Sequence, residues 1–90
     1  MEKLNVAIAD DNVRMADILG QMIEEDKDLT LVGKAHNGEE ICSIIREKEP
    51  DVVVVDIIMP KMDGLTVMEH CSHDSSVKKQ PAFIVVSAVG

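Results

Sequence analysis

Four consecutive valines, Val52 to Val55, run from Asp51 into Asp56. A strand with one face in water alternates apolar and polar residues. An unbroken β-branched run instead requires cover on both faces, as in parallel sheets with helices on either side. That requirement guides the reading of the remaining segments. Leu4 to Ala9 is another buried strand, closed by the polar Asp10-Asp11-Asn12. Met15, Ile18, Leu19, Met22 and Ile23 recur at the spacing of an amphipathic helix, with Glu24-Glu25-Asp26 as its solvated end. Leu29 to Ala35 alternates well enough for a second strand in chain order. Asn37, with Glu40 three residues on, resembles a capping box that opens a second helix. Ile41, Ile44 and Ile45 give that helix its buried stripe, and Pro50 ends it.

After Asp56 come Pro60 and the turn-forming Asp63-Gly64, then a short helix around Leu65, Val67, Met68 and Cys71. A polar stretch from Ser72 to Gln80 reads as loop, and Ala82 to Ser87 as the fourth strand. The order β, α, β, α, β, α, β predicts an α/β fold with right-handed crossovers and a largely parallel sheet. No internal repeat, low-complexity tract or Gly/Pro-rich linker interrupts it.

Composition narrows the function classes. The 90 residues carry 9 Lys plus Arg against 17 Asp plus Glu, a net charge of −8. Such an excess of acid repels phosphate backbones and anionic lipid, which argues against direct nucleic-acid or membrane-surface binding. Cations and basic protein surfaces are the better matched partners. No apolar run approaches the roughly eighteen residues of a membrane span, and the N-terminus has no signal-peptide core, so a cytoplasmic location is expected. Cys42 and Cys71 have no metal-ligand spacing and read as buried or half-buried thiols.

In an open parallel sheet, ligands bind beyond the carboxyl ends of the strands. Here those ends carry Asp10-Asp11, Asp56 and Ser87. A single acid after a strand more often caps a helix or solvates a loop. Three acids on two neighbouring strands are different. If the first and third strands are adjacent, the three carboxylates converge and need a partner, for which a hard divalent cation is the natural choice. Asp56 also emerges from the most buried segment, where an unpaired carboxylate costs on the order of several kcal/mol.

Other candidates read more plainly. His70, Cys71, His73 and Asp74 are taken as a solvated helix end in preference to a metal cluster. His36, at the mouth of the second strand, is taken as a loop histidine, although it stands within reach of the acid site. Met15, Met22 and Met68 are taken as core filling, and Glu24-Glu25-Asp26 as a solvated face.

Taken together, Asp10-Asp11-Asn12, the strand running into Asp56-Ile57-Ile58-Met59-Pro60, the following Asp63-Gly64, and Val85-Val86-Ser87-Ala88 resemble the receiver domains of bacterial two-component response regulators. The acid pair is a weak signal, the string from Asp56 to Gly64 a strong one, and the set in this order very specific. The resemblance runs from the first strand to the last residue. Val6 to Asn12, Val54 to Glu69, and Lys78-Lys79-Gln80-Pro81 are most like the sporulation-controlling branch found in endospore-forming Gram-positive bacteria.

The resemblance implies a flavodoxin-like, doubly wound parallel sheet and a set of roles. Asp56 would accept a phosphoryl group from a histidine kinase or a histidine phosphotransfer protein. Asp10 and Asp11 would hold Mg2+ or Ca2+ directly or through water, together with Asp56 and the backbone carbonyl of Ile58. Ser87 would give its hydroxyl to the phosphoryl oxygen. Pro60 and Gly64 would shape the loop over the site. The chain would be a signalling domain that undergoes phosphotransfer on itself, not an enzyme acting on a separate substrate.

The family adds a fifth strand, ending in a phosphoryl-binding lysine, and two helices after the fourth strand. Residues 1–90 are therefore expected to form a receiver domain stopped after its fourth strand, with any DNA-binding domain further on. Lys61 does not occupy the position of that lysine. An edge left at Ala82 to Ser87 predicts self-association through the fourth strand or by exchange of elements. Two other functions compete: an interaction or dimerisation module with an inactive pocket, and a metal-dependent phosphatase with an aspartyl-phosphate intermediate. The phosphatase usually needs a second acid two residues beyond the nucleophile, where this chain has Ile58.

Overall fold

The structure is a computed structural model that describes residues 3–56, 69, 73, 75 and 77–86. Its elements run β1 (Leu4–Ala9), α1 (Val13–Glu25), β2 (Leu29–Ala35), α2 (Gly38–Lys48), β3 (Val52–Asp56) and β4 (Ala82–Val86). The four strands form one parallel sheet in the order β2-β1-β3-β4. This is the flavodoxin-like arrangement the sequence predicts. Of the residues of the third helix expected around Leu65 to Cys71, Glu69 alone is described. Among those described nearby, Glu69 and His73 are helical and exposed, so His73 departs from the loop reading.

The valine run does what its composition demands. Val53 and Val55 are fully buried on one face with Ala7, Ala9, Ile41, Cys42 and Ile45. Val52 and Val54 pack on the other face against Val6, Ile8, Ala16 and Ile23. α2 covers the first face and α1 the second, which makes the sheet doubly wound.

α1 is rotated from the expected stripe. Its buried residues are Ala16, Gly20 and Ile23, with Leu19 half-buried, whereas Met15, Ile18 and Met22 are exposed. The reason is close approach. A Cβ on Gly20 would sit 3.3 Å from Leu31 Cδ2 and 3.4 Å from Lys34 Cδ, so the helix rests on its smallest residues. A pattern reading weighted by large apolar side chains misses a face made of Ala and Gly. Met15 and Met22 are accordingly not core filling; Met68 lies outside the described residues.

α2 follows expectation more closely. Asn37 Oδ1 accepts from the Glu40 backbone N–H at 2.9 Å. Glu40 Oε1, however, reaches back to the backbone N–H of His36 at 2.9 Å, one residue before the cap. Glu39 and Glu40 in the first turn, and Arg46 and Lys48 in the last, suit the helix dipole. Glu49 closes α2 in the left-handed conformation, φ 47° and ψ 57°, immediately before Pro50. Ile41, Ile45 and Cys42 are buried and Ile44 packs at the margin; Cys71 lies outside the described residues. Among the described residues, no helix is long and apolar enough to cross a membrane.

Candidate functional site

The sheet order creates a crevice at one defined place. The chain leaves β1 toward β2 and leaves β3 toward β4, so the connections diverge between β1 and β3. A switch point of this kind is where open α/β sheets bind ligands. In register, Ala9 lies beside Val55, and Asp10 and Asp56 are the next residue on each chain. The adjacency on which the three-acid reading depends is therefore present.

Asp10 is only 2% exposed. Its Oδ1 accepts the Asn12 backbone N–H at 2.9 Å, and its own N–H donates to the Ala35 carbonyl at 3.0 Å. Asn12 in turn caps α1, accepting the Met15 N–H at 3.1 Å. A turn held by Asp10 thus hands over directly to a helix start held by Asn12, and the acid pair is fixed between β1 and α1. Asp11 is exposed at the rim. Burying Asp10 requires compensation, of which the Asn12 N–H supplies a part.

For Asp56 the structure describes the strand, where it pairs with Val86, the last residue of β4. Ile58 and Ser87 lie outside the described residues, as do Pro60, Lys61 and Gly64. Among the described residues, no three His, Cys, Asp or Glu side chains converge as a ready cation cluster. What is described is one buried and one exposed carboxylate at a switch point. Oxygen-only donors of this kind fit a hard divalent ion such as Mg2+ or Ca2+ and not a thiophilic one.

His36 comes closer to the site than a loop histidine would suggest. Its Nδ1 lies 3.3 Å from the carbonyl oxygen of Asp10, and the ring is half-buried. The signal available in the sequence was positional: His36 directly follows Ala35, the last residue of a strand parallel to and adjacent to β1. His73 is exposed, in keeping with a solvated helix end, while His70, Cys71 and Asp74 lie outside the described residues.

Solved structures share this architecture. The signal receiver domain of the putative response regulator NarL from Mycobacterium tuberculosis matches at a TM-score of 0.87 and 26% identity, over 100% of this chain and 70% of that one. The response regulator domain of Thermotoga maritima CheB matches at 0.84 and 30%, over 98% of this chain and 63% of that one. The response regulator RcsB of Salmonella typhimurium shares the fold at 0.81 and 23% identity, and the chain spans 44% of its length. The family model for the response regulator receiver domain matches residues 6–90, and the chain belongs to that family.

Proposed function

We propose that this receiver domain is a phosphoacceptor, with Asp56 taking the phosphoryl group from a phosphohistidine on a kinase or phosphotransfer protein. The observation that carries the reading is the β1–β3 register, which sets the Asp10 and Asp56 positions side by side at the switch point. A carboxylate oxygen of Asp56 attacks phosphorus, an acyl phosphate bond forms, and the P–N bond to the donor imidazole breaks. The donor histidine leaves with the electron pair and takes up a proton.

Asp10 and Asp11, with Asp56 and the Ile58 carbonyl, would hold Mg2+ or Ca2+. The bound ion supplies charge neutralisation between the two anions that must meet. Asp10 is suited to a fixed ligand because the Asn12 N–H orients its carboxylate. Ser87, directly after β4, would donate its hydroxyl to the phosphoryl oxygen.

The finer assignments are proposals of the same kind. The strings Val6 to Asn12 and Val54 to Glu69 support placing the chain in the sporulation branch, as a receiver of the stage 0 sporulation protein A type. On that reading it works in the cytoplasm and switches a DNA-binding domain further along the protein. Residues 1–90 then supply the receiver through its fourth strand. The edge position of β4 in the described sheet would let copies of the chain associate through it or exchange elements.

The test is to incubate the chain with a small phosphodonor and Mg2+, then assay for a hydroxylamine-labile phosphoryl group. Stoichiometric labelling that disappears in Asp56→Asn is the expected result. Multiple turnover on small phosphate esters would indicate a phosphatase instead, and absence of labelling would leave an interaction module.

A further inference from the structure

Both main-chain polar groups of Asp10 are engaged by two consecutive residues at the end of β2. The Asp10 N–H donates to the Ala35 carbonyl at 3.0 Å, and the Asp10 carbonyl lies 3.3 Å from His36 Nδ1. A carbonyl oxygen only accepts, so this contact requires the proton on Nδ1. We infer that His36 is a positioning residue, whose Nδ1–H holds the Asp10–Asp11 peptide in the orientation that aims Asp11 at the cation. The inference rests on the phosphoacceptor reading for the identity of the cation.

The geometry separates the two acids. Asp10 is buried, its N–H is tied to β2, and its carboxylate is set by the Asn12 N–H. Asp11 is exposed; the peptide after it is held by the Asn12 N–H on Asp10 Oδ1, and the peptide before it carries the carbonyl that faces His36. That peptide turns about the Asp10 ψ and Asp11 φ angles, and the carbonyl held by His36 is the marker of its rotation. His36 is itself anchored, since its backbone N–H donates to Glu40 Oε1 at 2.9 Å, within the cap of α2. The start of α2 therefore reaches the acid pair through a single imidazole.

The experiment exploits the shapes of two amides. Asn places an N–H donor at the position of His Nδ1, whereas Gln places one at the position of Nε2. Magnesium affinity is measured by calorimetry in the full chain, beside labelling by a small phosphodonor. His36→Leu is expected to weaken magnesium binding about tenfold, in the range of groups that orient metal ligands. His36→Asn should restore most of it and His36→Gln should not. The effect of His36→Leu should shrink in an Asp11→Asn background, because the residue being aimed is gone. Nitrogen-15 spectra of the neutral ring at alkaline pH should show the Nδ1–H tautomer.

Unchanged affinity in His36→Leu overturns the positioning role, as does rescue by Gln without rescue by Asn, or an Nε2–H ring. A wild-type chain that takes up neither magnesium nor a phosphoryl group overturns the phosphoacceptor reading, and this inference with it. Magnesium binding with normal phosphorylation, indifferent to His36, overturns the inference alone.

Discussion

Asp51 and Asn5 are joined by two hydrogen bonds of 2.8 Å: the Asp51 N–H donates to the Asn5 carbonyl, and the Asn5 N–H donates to Asp51 Oδ2. The Asp51 carbonyl also accepts the Ala82 N–H at 3.0 Å, and its other carboxylate oxygen pairs with Lys79 Nζ. One residue thus ties the starts of β1, β3 and β4 together, at the sheet end opposite Asp10 and Asp56.

The Lys79 ammonium, and then the Asn5 N–H, hold the Asp51 carboxyl below its ordinary range, against a smaller opposing effect of burial. A carboxyl with a lower value in the folded state releases its proton more readily there than in the unfolded chain. Its contribution to stability is present above the ordinary value of about 3.9 and is lost as pH falls through the folded value. Asp51→Asn should therefore melt below wild type at neutral pH, and the two Tm values should converge in acid. Thermal melts across pH read this directly. A gap that persists or widens at the acid end would contradict the clamp.

The orientation of α1 can be checked by two neighbouring truncations. Ile23 is 9% exposed and packs with Val6, Ile8 and Ala16, whereas Met22 is 62% exposed. Ile23→Ala should cost about 2–3 kcal/mol in urea denaturation, and Met22→Ala less than about 0.5 kcal/mol. Equal losses would return Met22 to the core.

Fold class was readable because β-branched runs and turn chemistry report local environment directly. Val52 to Val55 specified a strand covered twice, and Asn37 with Glu40 marked a helix start within a residue of where it lies. The face of α1 was readable only in part: Leu19 and Ile23 of the expected stripe do pack, but Ala16 and Gly20 carry little hydrophobic signal of their own. Their burial follows from the distance between helix and sheet, which is a property of both partners. At the site, Asp10 and Asp11 announced themselves as acids after a strand. His36 was seen to stand within reach but was read as a loop histidine, because its contact with the Asp10 carbonyl depends on β2 lying beside β1, a long-range pairing that no local spacing encodes.

Glu49 holds a conformation that side chains other than those of Gly and Asn adopt at a cost of about 1–2 kcal/mol. Part of that gain is offset in a Gly variant by the greater freedom of the unfolded chain. Glu49→Gly should still stabilise the protein by about 0.5–1 kcal/mol, while Glu49→Val should lower the urea midpoint. Because the residue lies just before Pro50 and β3, away from the acid end of the sheet, magnesium affinity should not change in the Gly variant.

The register between β1 and β2 slips at one point: Val6 pairs with Leu31 and Ala7 with Gly33, leaving Val32 as the extra residue of a bulge. Gly33 then lies under α2, where an added Cβ would meet Ile44 Cδ1 at 2.9 Å and Cγ1 and Cγ2 at 3.3 Å. Gly33→Ala should destabilise the domain by about 1–3 kcal/mol, the range of an overpacked core. The closest clash is with Cδ1, the atom that Ile44→Val deletes at its own cost of about 0.5–1.5 kcal/mol. The double variant should accordingly lose less than the sum of the two single losses, by about 0.5 kcal/mol or more, as expected for residues in contact. Strict additivity in urea denaturation would mean that the approach of Ile44 is not what makes an alanine costly there.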